Sequence, residues 1–179
     1  MTDEALWVFG YASLIWNPGF DFEERQLARL ADYSRSFCMR SIHHRGTVEH
    51  PGLVLALDEH PGAACDGVSF RVADDKADAV MAYLRERELI SSAYLEKTVT
   101  LESEDGRGVA SVAYVVDRDH DQYCGGMALE DQAQIIAGAV GGRGPNDEYL
   151  YNTADHLTQL GIADEELSWL SRRVRDLST

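Results

Sequence analysis

Hydrophobic and polar positions divide the chain into a strand-rich first two thirds and a helical end, with one helix inserted between. Trp7-Val8-Phe9 reads as a strand, and the apolar run resumes at Leu14-Ile15-Trp16 before Asn17-Pro18-Gly19 stops it. Between them Gly10-Tyr11-Ala12-Ser13 breaks the pattern with small residues, the mark of a bulge or of a close backbone approach. Asp21 to Arg29 is polar and predicts a helical turn or two; Tyr33, Arg35, Phe37 and Met39 then alternate as in a strand. Ser41 to Gly52 carries histidines, glycines and Pro51 and is expected to be a loop, followed by a strand through Leu53-Val54-Leu55-Ala56-Leu57. His60-Pro61-Gly62 predicts a turn, and Gly67 to Ala73 another alternating strand.

Asp74 or Asp75 is placed to cap a helix reaching about Ile90, since an Asp side chain accepts from the first free N–H groups. Tyr94 to Glu102 and Val109 to Val116 predict a hairpin around Asp105-Gly106-Arg107-Gly108. After a loop over Asp117 to Gly126, Leu129 to Val140 reads as a helix stopped by Gly141-Gly142. Asn146 can cap a helix to Leu160, which Gly161 ends, and Asp164 starts a last amphipathic helix to Leu177. This segregation predicts an α+β fold with a mostly antiparallel, barrel-like sheet, an inserted helix and C-terminal helices, rather than βαβ alternation.

At 179 residues the chain is long enough to bury a core as one domain over 1–179. Its net charge of −15 argues against nucleic acid or an anionic membrane as partner, because like charges repel. Cys38, Cys65 and Cys124 share no Cys-x-x-Cys or metal-ligand spacing, so reduced thiols are expected rather than a disulfide framework or a zinc site. Met1-Thr2-Asp3-Glu4 lacks the basic start of a signal peptide and no apolar run reaches membrane-span length, which points to the cytoplasm. No protein partner is legible.

Two features carry candidate chemistry. The small residues after the first strand would let backbone N–H groups approach an anion or a carbonyl oxygen beside the Ser13 hydroxyl; alternatively, the glycine only turns the chain. On the inserted helix, projection at 3.6 residues per turn puts Ala77, Val80, Met81 and Leu84 on one stripe that Glu88 continues, with Glu86 on the opposite side. An acid turned inward at a helix C-terminus loses solvation and meets the unfavourable end of the helix dipole, so both effects favour its protonated form and suit a general base. The competing account pairs Glu88 with Arg87, Arg45 or another cation, or lets it emerge at a fraying end.

Other constellations are weaker. His43, His44 and His50 share a loop without acidic or thiol partners at a metal spacing. Gly141-Gly142-Arg143-Gly144-Pro145-Asn146 lacks the lysine and hydroxyl residue of a phosphate loop. Ser13 is outside a Gly-x-Ser-x-Gly elbow, and neither Cys38 nor Cys65 has a neighbour that would activate a thiol.

In order along the chain, Val8-Phe9-Gly10-Tyr11-Ala12-Ser13-Leu14-Ile15-Trp16, His44-Arg45-Gly46-Thr47 with Pro51-Gly52, Tyr83-Leu84 with Arg87-Glu88 and Tyr94, and Asn146 with Glu148-Tyr149-Leu150 resemble the ChaC-type γ-glutamylcyclotransferases. The resemblance implies a barrel-like α+β fold, no metal or organic cofactor, and glutathione as small-molecule substrate. It implies Glu88 as the catalytic carboxylate and a substrate cradle over Val8, Phe9, Gly10, Tyr11, Ala12, Ser13 and Leu14. Arg45 is then expected to attract a carboxylate and Tyr94, with Tyr11, to orient the substrate. Ala12 stands where the family usually has a second glycine, so its methyl is expected to strain a loop that needs positive φ or to narrow the pocket. The rival readings are a cyclotransferase for another γ-glutamyl amino acid or γ-glutamylamine, and a noncatalytic glutathione-binding module.

Overall fold

Alternating buried and exposed side chains build five strands that close a barrel in the order β1-β3-β2-β4-β5. The structure, a computed structural model, describes residues 5–89 and 94–178. The acidic start Met1-Thr2-Asp3-Glu4 and the expected helix end at Ile90 lie outside the described residues. β1 (Leu6–Gly10) runs antiparallel to the end of β3 (Gly52–Val72), with Val8 opposite Phe70 and Gly10 opposite Val68. β2 (Glu24–Ser41) meets β4 (Tyr94–Ser103) antiparallel where Ala28 faces Ser103. β4 and β5 (Gly108–Val116) form the expected hairpin, in which Glu96 stands opposite Tyr114. Two parallel contacts of β5 close the sheet, Val8 with Val112 and Leu57 with Val115. The class is α+β, as the segregation of elements implied.

Four local expectations are corrected. Asp21 to Arg29 is not helical: β2 begins at Glu24, and burial of Ala28 and Leu30 alternates with exposure of Arg29 and Ala31. Charged residues on the outer face hid that period of two. His60-Pro61-Gly62 does not end a strand; β3 runs through it for 21 residues. Gly62 takes φ +87° and Asp32 of β2 takes φ +67°, and the Asp32 carboxylate accepts the Gly62 N–H at 3.0 Å, so a paired irregularity bends the strands without ending them. Neither Asp74 nor Asp75 caps a helix; both lie in a 3₁₀ turn, Asp74–Lys76, that leads into α2 (Ala77–Glu88), whose start has no side-chain cap. Finally, α3 (Leu129–Gly138) ends short of Val140, where Val140–Gly141 (β6) pairs with Gly144–Pro145 (β7).

By packing, the chain divides into two compact units, Met1–Arg35 with Leu57–His120 and Ser36–Ala56 with Asp121–Thr179. In the first, α1 (Ser13–Trp16) and α2 cover one face of the strands, and Leu14, Val80 and Leu84 pack with Val8, Val72 and Tyr114. In the second, α3, α4 (Asn146–Gln159) and α5 (Glu165–Leu177) bury Ile136, Leu150, Leu157, Leu170 and Val174. The Asp164 carboxylate accepts the Leu167 N–H at 3.0 Å, the cap expected for α5. Asn146 has another use than the expected cap. Its Oδ1 accepts the Leu53 N–H at 2.8 Å and its Nδ2 donates to the Leu53 carbonyl at 2.8 Å, so the amide pairs with β3 as another strand would. Three residues on, the Tyr149 hydroxyl accepts the Leu55 N–H at 3.1 Å. No helix among the described residues is long and apolar enough to cross a membrane.

Candidate active site

The loop after β1 is held from below by backbone and side chains of its own unit. Gly67 lies so close that a Cβ there would sit 2.4 Å from the Gly10 carbonyl oxygen, which only glycine avoids. The Tyr11 carbonyl accepts from Arg35 Nη1 at 2.8 Å, and Arg35 Nη2 donates to the Asp66 carbonyl at 3.0 Å. Tyr11 is buried and its hydroxyl donates to the Tyr114 carbonyl at 3.2 Å, which pins the loop to β5. Ala12 has φ −146°, so the loop does not take the positive φ there that would call for glycine. The short α1 turn is closed by Ile15 N–H to Ala12 O and Asn17 N–H to Ser13 O. Val8, Phe9 and Leu14 are core side chains; what they can offer a ligand is main chain.

α2 delivers the second half of the site. Val80 and Leu84 face the core, and Glu88, one turn further, has a side chain only 16% exposed, whereas Glu86 is exposed. The neighbouring Arg87 side chain is 8% exposed, and its Nε lies 3.6 Å from Glu88 Oε1, an ion-pair distance beyond hydrogen-bond length. Arg87 Nη2 donates to Ser13 Oγ at 3.1 Å. Its Nη1 donates to the Asn17 and Pro18 carbonyls at 2.6 and 3.1 Å and to the Tyr83 hydroxyl at 2.9 Å. One guanidinium therefore spans the loop and the carboxylate singled out by the helix projection.

Behind them the β4–β5 hairpin contributes Glu96 and Tyr114. Arg85 grips Glu96 with two hydrogen bonds, 3.0 and 3.2 Å, and the Tyr114 hydroxyl donates to Glu96 Oε1 at 2.9 Å. The Arg85 fork, with the Tyr114 hydroxyl, holds the Glu96 carboxyl below its ordinary range. Burial, then the bond to Glu96 and its charge, and then the charge of Glu88 push the Tyr114 phenol far above its usual value, so it stays a neutral donor. Tyr94, the first residue of β4, packs against the cluster around Leu84 and Tyr114. Arg45 belongs to the second unit, where its Nη1 donates to the Pro145 carbonyl at 3.1 Å and its guanidinium lies 5.6 Å over the Tyr149 ring. Among the described residues there is no group of three or more His, Cys, Asp or Glu side chains placed to hold a metal ion.

The profile of the family described as ChaC-like protein matches residues 6–177. The chain belongs to the ChaC-like family. It is 35% identical over 172 residues to the glutathione-specific gamma-glutamylcyclotransferase of Escherichia coli K12, covering 96% of this chain and 74% of that protein. With human glutathione-specific gamma-glutamylcyclotransferase 1 the identity is 33% over 170 residues, 92% of this chain and 76% of the human protein. The crystal structure of a γ-glutamyl cyclotransferase specific to glutathione from yeast superposes with a TM-score of 0.87 at 23% identity, over 96% of each chain, which shows the shared fold.

In this ChaC-like chain the first unit gathers Gly10, Tyr11, Ala12, Ser13, Leu14, Glu88 and Tyr94, together with groups that sequence patterns did not reveal: Arg35, Glu96, Tyr114 and the bonds of Arg87. Glu96 had one signal available, its cross-strand register with Tyr114 in a hairpin that was itself predictable. The two arginines had none, because a long side chain bonding to distant carbonyls leaves no periodic trace.

Proposed function

We propose that this chain is a glutathione-specific γ-glutamylcyclotransferase, a lyase that converts glutathione to 5-oxoproline and cysteinylglycine with Glu88 as general acid and base. The observation that carries it is a carboxylate only 16% exposed, next to the guanidinium that also bonds Ser13, so acid and cradle lie within the span of one side chain. Relatives with that activity in their names, at 33–35% identity over most of the chain, support the substrate.

The substrate supplies both nucleophile and electrophile, so the protein's task is pose and proton management. Glu88 takes a proton from the α-ammonium group; the freed amine attacks the γ-carbonyl carbon and a C–N bond forms in a five-membered ring. The C–N bond to the cysteinyl nitrogen then breaks as Glu88 returns its proton to that nitrogen, and the second proton of the ring nitrogen passes to the departing amine, leaving 5-oxoproline and the ammonium form of cysteinylglycine. Main-chain N–H groups of the Gly10 to Leu14 loop, with the Ser13 hydroxyl beside them, are assigned to the substrate's oxygen atoms, including the carbonyl oxygen that gains negative charge during attack. Tyr94, with Tyr11, orients the substrate. We read residues 1–179 as one γ-glutamylcyclotransferase-like domain and assign it to the cytoplasm, where Cys38, Cys65 and Cys124 remain thiols.

Incubation with reduced glutathione and detection of 5-oxoproline by mass tests the assignment. Glu88→Gln keeps the shape and removes the base, and should lower turnover by about 10²–10⁴-fold with an unchanged melting curve. Near-normal product release from folded Glu88→Gln protein rules the assignment out, and saturable glutathione binding without product supports the noncatalytic module instead.

A further inference from the structure

We infer that Arg87 is a positioning residue that locks the loop after β1 onto the end of α2 and turns the Ser13 hydroxyl into a hydrogen-bond donor for the bound γ-glutamyl group; this rests on the function proposed above. Arginine carries only N–H donors. In the 3.1 Å contact with Arg87 Nη2, Ser13 Oγ is therefore the acceptor, and its single hydrogen must point to a different oxygen. A hydroxyl without such a contact could aim its hydrogen in any direction; this one gives a lone pair to the guanidinium, which turns its hydrogen away from Arg87 and leaves it for another acceptor. The partner that suits it is a carboxylate or carbonyl oxygen, the two acceptors a γ-glutamyl group brings.

The rest of the guanidinium explains why the loop keeps its place. Nη1 reaches the Asn17 and Pro18 carbonyls and the Tyr83 hydroxyl, so α2 holds the loop on both sides of Asn17. Gly19, at φ +74°, completes the contact: a Cβ there would lie 2.0 Å from the Tyr83 hydroxyl oxygen that Arg87 grips. With Nη1 and Nη2 bonded inside the protein and the side chain almost fully buried, Arg87 does not serve as a hand for the substrate's carboxylates. It acts through Ser13 and the loop. Lysine cannot replace it, because one ammonium offers three donors from a point and does not span acceptors that diverge around a planar fork.

A double-mutant cycle tests this. Arg87→Lys and Ser13→Ala should each lower kcat/KM for glutathione by about 10–100-fold, the scale of a misplaced substrate. The double variant should fall no more than about 3-fold below the worse single one, because the second change removes a group already misdirected. If Arg87 only stabilises the fold, Ser13→Ala costs the same factor with or without Arg87, and such multiplying losses overturn the inference. So does an Arg87→Lys enzyme within about 3-fold of wild type. Thermal melts monitor folding; should Arg87→Lys fail to fold, Tyr83→Phe, which releases one anchor of the guanidinium, replaces it in the cycle with a smaller loss and the same expected coupling to Ser13. Absence of 5-oxoproline from the wild type overturns the proposed function, and the cycle is then read in glutathione dissociation constants by calorimetry, where the same two outcomes decide. A chain that neither turns over nor binds glutathione overturns both.

Discussion

Asn146→Ala tests the strand-like pairing of a single side chain with β3. Asn146 is fully buried, and its amide makes two 2.8 Å hydrogen bonds, one to each polar group of the Leu53 main chain, itself at 0% exposure. Truncation removes both bonds and leaves a buried N–H and a buried C=O without that partner. A net hydrogen bond contributes about 1 kcal/mol, whereas a buried group left unpaired costs about 1–3 kcal/mol. Two such groups give a loss of about 2–6 kcal/mol, a large part of the ~5–15 kcal/mol that holds a domain folded. Urea denaturation followed by far-ultraviolet circular dichroism reads this as a lower midpoint at constant slope. Asn146→Asp keeps an acceptor for the Leu53 N–H but sets an anion against the Leu53 carbonyl, so it should lose at least as much. A loss below about 1 kcal/mol for Asn146→Ala would refute the reasoning, since even one unpaired buried group costs that much.

Two further outcomes follow from the site. Glu96 titrates below its ordinary value of 4.5 because Arg85 and then Tyr114 bond its ionised form. A lowered folded value means that the stability it adds is present above the unfolded value and is lost as acid passes through the folded one. Glu96→Gln should therefore be less stable than wild type at neutral pH and show a shallower loss on acidification below pH 4.5, and equal slopes would contradict the Arg85 fork. Ala12→Gly, at a position whose φ of −146° does not call for glycine, adds freedom to the unfolded chain and should lose ~0.5–1 kcal/mol in thermal melts, with 5-oxoproline release within about 3-fold of wild type. A large gain in turnover would show that the methyl group obstructs substrate.

What could be read from the chain alone was whatever repeats with a short period. The 3.6-residue projection separated Glu88 from Glu86, and the Asp105–Gly108 turn between alternating runs announced the β4–β5 hairpin. The start of β2 was hidden because Glu24, Arg25 and Arg29 outweigh Ala28 and Leu30 in any local average. The continuity of β3 was hidden because a Pro-Gly step usually ends a strand, and what carries it across is Asp32 on the neighbouring strand. Asn146 had a local reading as a cap that lost to a distant one, for a side-chain amide satisfies two buried backbone groups only where the fold brings them to it. The candidate site divides along the same line: its carboxylate was legible, and the guanidiniums that set its geometry were not.

The seam of the barrel also bears on when the protein acquires its site. Tyr11 bonds the main chain at Tyr114, 103 positions later, and β1 pairs with β5 at Val8 and Val112. A chain emerging from the ribosome makes the opening loop first and its last tether only after the fifth strand is out. Joining such remote segments is slow compared with helix or hairpin formation. The loop after β1 is thus among the late products of folding, and a partly synthesised chain lacks the tethers that hold it in place.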